Sequence, residues 1–209
     1  MINCAQAVAI VTGPATGLLK AERLALNLLA RCSTLATNAW ITSEAKPPGT
    51  KLAGTRKTTP GFRLVEKYAL VVGGIDPHRL SCTDCVMLKD NHIDLLQQQG
   101  VDLESAIKQV KSVASFTSKI EVECRTLADA EIAISSGADI VMLDNFIPSE
   151  ADVSDLKGLN SHVVIELSGG ITAQNIHLYP GDESIVLSLG ALTHSPGVLL
   201  DFSFKIVKE

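Results

Sequence analysis

Aromatic residues are scarce: they make up 4% of the 209 residues, with a single tryptophan. A core that cannot rest on large rings must be aliphatic, as in an α/β barrel filled by Val, Ile and Leu. Long apolar runs are missing too. No stretch approaches the ~20 apolar residues that a membrane-spanning helix needs, so no membrane partner is expected. Basic excess is absent: 18 Lys and Arg stand against 23 Asp and Glu, a formal net charge of −5. Nucleic-acid binders ordinarily show the opposite balance, and no nucleic-acid partner is expected. A paired disulfide framework is absent as well. Five cysteines, an odd number at scattered spacing, with no secretory leader, predict reduced thiols and a cytoplasmic protein. Cys82-Thr83-Asp84-Cys85 has no second pair and no histidines at ligand spacing, so zinc is not expected. The pair leads into an apolar strand rather than opening a helix, which predicts two ordinary thiols.

What is present is a soluble composition, 46% apolar and 20% charged, long enough for one sizeable core. Six apolar runs each stop at a residue with chemical capability. They end at Arg56-Lys57, Lys89, Glu123, Asp144, Ser168-Gly169-Gly170 and Gly190. The last four ends fall roughly 21–24 residues apart, the length of one strand, one helix and two turns. Strands alternating with helices at this spacing predict parallel βαβ units, and α/β barrels carry their chemistry at the carboxyl ends of the strands. Helices are expected over 17–43, 62–72, 101–114 with Asp102 as N-cap, and 127–136. Ala5 to Thr12 reads as a strand, and Asp201 to Lys208 as a short closing helix.

The strand ends predict a polyanion site. Arg56-Lys57 is followed by Thr58-Thr59-Pro60-Gly61 and a helix start. Backbone N–H groups at a helix start favour anions, Arg offers a bidentate fork and Lys a point charge. His78-Arg79 and Lys89 add further cations. Crowded at one barrel mouth, Arg56, Lys57, Arg79 and Lys89 repel one another unless an anion binds. Glu123 and Asp144 end neighbouring strands and suit acid–base work, ribose hydroxyls or a metal held through substrate and water. Ser168-Gly169-Gly170-Ile171-Thr172 and Ser188-Leu189-Gly190 suit a phosphate, and a helix after Thr172 is expected to aim its N-terminus there.

Together these stretches resemble the quinolinate phosphoribosyltransferase family. The resemblance is carried most specifically by Gly54-Thr55-Arg56-Lys57-Thr58-Thr59-Pro60-Gly61 and Lys89-Asp90-Asn91-His92. Val11–Pro14, Glu22–Asn27, Glu66-Lys67-Tyr68, His78-Arg79, Glu121–Cys124, Met142–Asn145 and Ser168–Ile171 support it. The resemblance implies a six-stranded open α/β barrel behind an N-terminal mixed α/β domain. It implies an N-terminally truncated chain, with residues 1–45 a remnant of that domain and 46–209 the catalytic barrel. The implied reaction joins quinolinate and phosphoribosyl pyrophosphate, with Mg2+, to give nicotinate mononucleotide, pyrophosphate and carbon dioxide in NAD biosynthesis. Lys57, Lys89, Glu123 and Asp144 are the implied catalytic set. Arg56, Lys57, His78, Arg79 and Lys89 would bind the substrate carboxylates and pyrophosphate, and Ser168, Gly169, Gly170 and Gly190 the 5′-phosphate. Arg23 would enter the pocket from a neighbouring subunit of a homodimer or larger homo-oligomer. Competing readings are a related phosphoribosyltransferase acting on another ring, a Schiff-base barrel using Lys89, and a non-catalytic fragment.

Overall fold

A computed structural model describes residues 6–194 and 197–207. A long helix, α1 (Ala15–Glu44), leads through Pro47-Pro48 into β1 (Lys51–Ala53) and α2 (Arg63–Val72). Then come β2 (Val86–Leu88), α3 (Asp90–Gln98), α4 (Leu103–Val113), β3 (Ile120–Cys124) and α5 (Leu127–Ser135). The chain closes with β4 (Ile140–Asp144), α6 (Glu150–Leu159), β5 (Val164–Ser168), β6 (Ile185–Ser188) and the one-turn α7 (Ala191–His194). All strand pairs are parallel, in the order β1-β6-β5-β4-β3-β2. β1 and β2 stand at the two ends of this sheet and do not pair with each other. Residues 75–79 fill the space beside β1: the Asp76 carbonyl accepts from Gly54 N–H at 2.8 Å, and Asp76 N–H donates to Leu52. From this open side His78 reaches Glu166 on β5 at 3.0 Å, so the sheet curls round into an open six-stranded barrel.

The aliphatic core lies between sheet and helices, not inside the barrel. Side chains alternate across a strand. On the outward face Ile120, Val122, Val141, Leu143, Ile165, Leu167, Ile185 and Leu187 join one buried cluster with Leu70, Ile107 and Leu156 from the helices. Burying each such side chain fully contributes about 1.5–3 kcal/mol. The inward positions carry Glu121, Glu123, Asp144, Glu166, Ser168 and Ser188 beside Met87, Ile140, Met142, Val164 and Val186. The core is aliphatic as expected, but most of its Val, Ile and Leu lie between sheet and helices, and only Ile140, Val164 and Val186 among these strand positions face the interior, at its amino end.

Helix caps follow the sequence closely. Asp102 accepts from Ser105 N–H at 2.7 Å, and Thr126 and Ser149 cap α5 and α6 in the same way. Helix α3 was not expected. Its start is held by His92, whose Nδ1 accepts the Lys89 N–H at 3.1 Å, so the Lys-Asp-Asn-His segment is itself a helix start.

Three further expectations are corrected. Of the strand expected over 5–12, Ala5 lies outside the described residues. Residues 6–12 are exposed and irregular, because no neighbouring strand pairs with them among the described residues. The closing helix is absent over 201–207, and Lys208 lies outside the described residues. Asn38 and Thr34 of α1 instead accept from the N–H groups of Val198 and Leu200, which fixes this part of the chain along α1. After Thr172 there is only a single 3-10 turn, Ile176–Leu178. The Asn175 side chain accepts from Thr172 N–H at 2.8 Å and donates to the Gly170 carbonyl at 2.9 Å, closing a tight turn in place of a longer helix.

Candidate active site

The carboxyl ends of the strands carry a continuous rim of polar groups. Lys89, at the end of β2, donates to Glu123 on β3 at 3.0 Å. Asp144 ends β4 opposite Ser168 of β5, which lies opposite Ser188 of β6. The Asp144 carboxylate accepts from the Asn145 side chain at 2.9 Å. Leu189 N–H donates to the Ala53 carbonyl at 2.9 Å, joining the β6 end to β1. The loop after β1 then brings in Arg56 and Lys57. Lys57 runs past the Gly190 turn, its Cδ 3.5 Å from where a Cβ on Gly190 would stand. Arg56 donates to the exposed Cys82 thiol at 3.0 Å, on the rim of the open side. Arg56, Lys57, Lys89, Glu123, Asp144, Ser168, Gly169, Gly170 and Gly190 thus all stand at one end of the barrel.

His78 and Arg79 stand elsewhere. They come from the open side and fill the interior, with their side chains 13% and 12% exposed. His78 has φ +58°, held by its own N–H donating to Asp76 at 2.7 Å. Its Nδ1 accepts the Arg79 N–H at 2.8 Å, so Nε2 carries the ring proton and faces both oxygens of Glu166 at 3.0 Å. The geometry therefore aims His78 Nε2 at the Glu166 carboxylate. Ser188 also donates to Glu166. Arg79 lies against the Met87 sulfur at 2.8 Å and its Nε is 4.0 Å from Glu121. Arg79 Nε and Glu121 Oε1 are buried without hydrogen-bond partners. Below them a cavity of about 300 Å³ opens towards the amino ends of the strands, among Asp84, Cys85, Lys119, Ile140, Val164 and Val186. Arg23 stands apart from both groups, exposed near the start of α1.

Glu121, Glu166 and Cys85 belong to this interior cluster, yet the sequence reading gave roles to none of them. The available signal was a carboxylate in the middle of the apolar run Val164–Leu167. Ligand atoms of His78, Glu121 and Glu166 lie within 4.8 Å of one another. The Arg79 guanidinium beside them already supplies the positive charge that a cation would bring. Burial and the Glu166 charge push the Glu121 carboxyl up to about 7, against the pull of Arg79. Burial and Glu121 push the Cys85 thiol up to about 12, which makes it inert. Cys82 and Cys85 are both free, one exposed and one buried.

The Glu121 shift has a consequence for stability. Between the ordinary carboxyl value of 4.5 and about 7, the folded protein keeps a proton that the unfolded chain has released. Folding stability therefore falls as pH rises through that window. Glu121→Gln removes this loss. Denaturant unfolding of the variant should match wild type near pH 4.5 and exceed it by about 1–3 kcal/mol at pH 8. A variant weaker than wild type at pH 8 would contradict the assignment.

Comparison with known proteins places this geometry in a family. Residues 34–205 match the C-terminal domain of quinolinate phosphoribosyl transferase. The human nicotinate-nucleotide pyrophosphorylase (carboxylating) is 47% identical over 204 residues, covering 95% of this chain and 67% of the human protein. The rat protein of that name is 45% identical over 207 residues, covering 97% of this chain and 68% of its own length. Among solved structures, NadC from Streptococcus pyogenes superposes with a TM-score of 0.82 at 40% identity. That match covers 92% of this chain and 66% of the NadC chain. The chain thus spans about two thirds of the length of the relatives it matches.

Proposed function

Since the chain belongs to the quinolinate phosphoribosyl transferase family, we propose that it is the catalytic barrel of an enzyme joining quinolinate to phosphoribosyl pyrophosphate. The products are nicotinate mononucleotide, pyrophosphate and carbon dioxide, in NAD biosynthesis. The observation that carries this reading is the rim itself. Three cations, two carboxylates and two glycine turns come from six strand ends to one face.

In this mechanism the reactants are polyanions, and Arg56, Lys57 and Lys89 supply the charge that brings them together. His78 and Arg79 form the floor towards the interior and orient the ring carboxylates. The glycine turns at Ser168–Gly170 and Gly190 let backbone N–H groups approach the 5′-phosphate. The ring nitrogen attacks the ribose carbon as pyrophosphate leaves. Fixed cations stabilise the departing charge without reorganising, and no covalent nucleophile is needed. Carbon dioxide then leaves from the adjacent ring carbon, the positive ring nitrogen stabilises the electron pair left on that carbon, and a proton taken up from water completes the product. Glu123 and Asp144 offer the hard oxygen donors that Mg2+ accepts when water and phosphate complete its shell, so the donor set fits that ion. When bound, Mg2+ supplies further positive charge for the leaving pyrophosphate.

A homo-oligomer is part of the proposal, with Arg23 of one subunit serving the site of another. Its support is the exposed apolar surface of α1 and α2, including Leu19, Leu24, Leu64, Tyr68 and Val71. A cytoplasmic location is proposed on the free thiols.

The test is incubation with quinolinate, phosphoribosyl pyrophosphate and Mg2+, alongside a full-length relative. Nicotinate mononucleotide is the expected product. Turnover of nicotinate in place of quinolinate would move the enzyme to another ring. Mixing Arg23→Ala with Lys57→Ala should restore part of the activity if subunits share sites; no recovery would remove Arg23 from the site.

A further inference from the structure

Glu66 is fully buried on α2, outside the rim, yet it is tied to it on both sides. Its Oε1 accepts from Arg31 Nε at 3.1 Å, from Arg31 Nη2 at 2.6 Å and from the Thr59 hydroxyl at 2.7 Å. Its Oε2 accepts the Thr59 N–H at 3.1 Å. The same Arg31 Nη2 donates to the Thr193 carbonyl at 2.7 Å. The Thr193 hydroxyl, itself 2% exposed, donates to the Lys57 carbonyl. These bonds form a closed ring: Glu66, Arg31, Thr193, Lys57, then through the backbone to Thr59 and back to Glu66.

The ring joins α1, the neighbouring loop and α2, and the segment after Gly190, three regions that are remote in sequence. It starts from α1 and α2 and grips the cationic loop after β1 and the turn after Gly190. Lys57 belongs to that loop, and its side chain runs against that turn. A buried carboxylate bonded to a guanidinium, a hydroxyl and an amide is a strong anchor, because losing any donor leaves a buried acceptor unmet. Arg63 holds the loop from the other side, donating to the Arg56 carbonyl at 3.0 Å and the Thr58 hydroxyl at 3.1 Å, so the ring is what ties the Lys57 carbonyl to the segment after Gly190.

We infer that Glu66, Arg31 and Thr193 are positioning residues that set Lys57 against the Gly190 turn and so fix the affinity of the rim for pyrophosphate-type anions. This rests on the function proposed above. Lys57 touches the anion; the ring acts through Lys57.

Three variants test it: Thr193→Val, which keeps side-chain volume but loses the hydroxyl; Thr193→Ser, which keeps the hydroxyl; and Glu66→Gln, which unbalances Arg31. Two measurements are made on the folded chain well below its melting temperature. One is the dissociation constant for inorganic pyrophosphate, by calorimetry. The other is amide hydrogen exchange over residues 55–60. Thr193→Val should weaken pyrophosphate roughly 5–10-fold, the equivalent of one buried hydrogen bond, and speed exchange in that loop. Thr193→Ser should restore both. Glu66→Gln should weaken binding by more than ~10-fold where it folds. Unchanged affinity and loop exchange in Thr193→Val, with only a lower melting temperature, would make the ring merely structural and overturn the inference. A wild-type chain that binds no pyrophosphate would remove the proposed function, and loop exchange alone would then decide whether the ring holds the loop.

Discussion

Lys89→Ala is expected to lose at least ~100-fold in turnover while its circular dichroism stays that of wild type, and Lys57→Ala should behave alike. One preorganised donor aimed at developing charge is typically worth that factor. Lys89 has a second effect that Lys57 lacks. Its partner Glu123 is only 9% exposed, so the alanine leaves a buried carboxylate without its counter-charge. Lys89→Ala should therefore also weaken Mg2+-dependent substrate binding in a way that rising Mg2+ partly offsets. Lys57, exposed beside Gly190, should show no such rescue. Steady-state rates over a Mg2+ series check both statements. Near-normal rates in either variant would remove that lysine from the site.

Gly169→Ala is expected to be the most destabilising single methyl group in the rim. Gly169 has φ +104°, a conformation that L side chains rarely adopt. A Cβ there would stand 2.2 Å from the Asn145 Oδ1 and 2.9 Å from the Asn145 backbone nitrogen. The Asn145 side chain can swing away; its backbone cannot, because its N–H donates to the Ser168 carbonyl at 2.8 Å and its own φ is +57°. Backbone strain and overpacking together cost about 3 kcal/mol or more. The melting temperature should fall by roughly 6–12 °C. Asn145→Gly in the same chain should return only part of it, since the φ penalty stays. A Gly169→Ala chain that melts like wild type would show that this turn relaxes freely.

Much of this architecture was legible in the sequence because each strand ends where its chemistry begins. Lys89, Asp144 and Ser168 mark strand ends directly, and Asp102 caps α4 as its side chain requires. Glu123 was read as the end of β3, which runs one residue further, to Cys124. What the sequence hid is long-range. Nothing near His78 says that its ring crosses the barrel to Glu166, 88 residues away. Arg79 was grouped with the rim cations because it shares their charge, but its contact with Met87 and Glu121 draws it inside. A closing helix was expected over 201–208, yet 201–207 are irregular, following a segment whose Val198 and Leu200 N–H groups are taken up by side chains of α1. Alternation was visible in Ile120-Glu121-Val122-Glu123, but which face looked inward depended on helices covering the other.

The central claim is that cations from separate strand ends act as one anion-binding rim. Its most direct measurement is the affinity for pyrophosphate as ionic strength rises from about 50 to 200 mM, where screening of exposed charges tightens. The account predicts that binding weakens steadily with salt and that Lys57→Ala flattens the dependence. Binding that is indifferent to salt, or equally salt-dependent without Lys57, would contradict it.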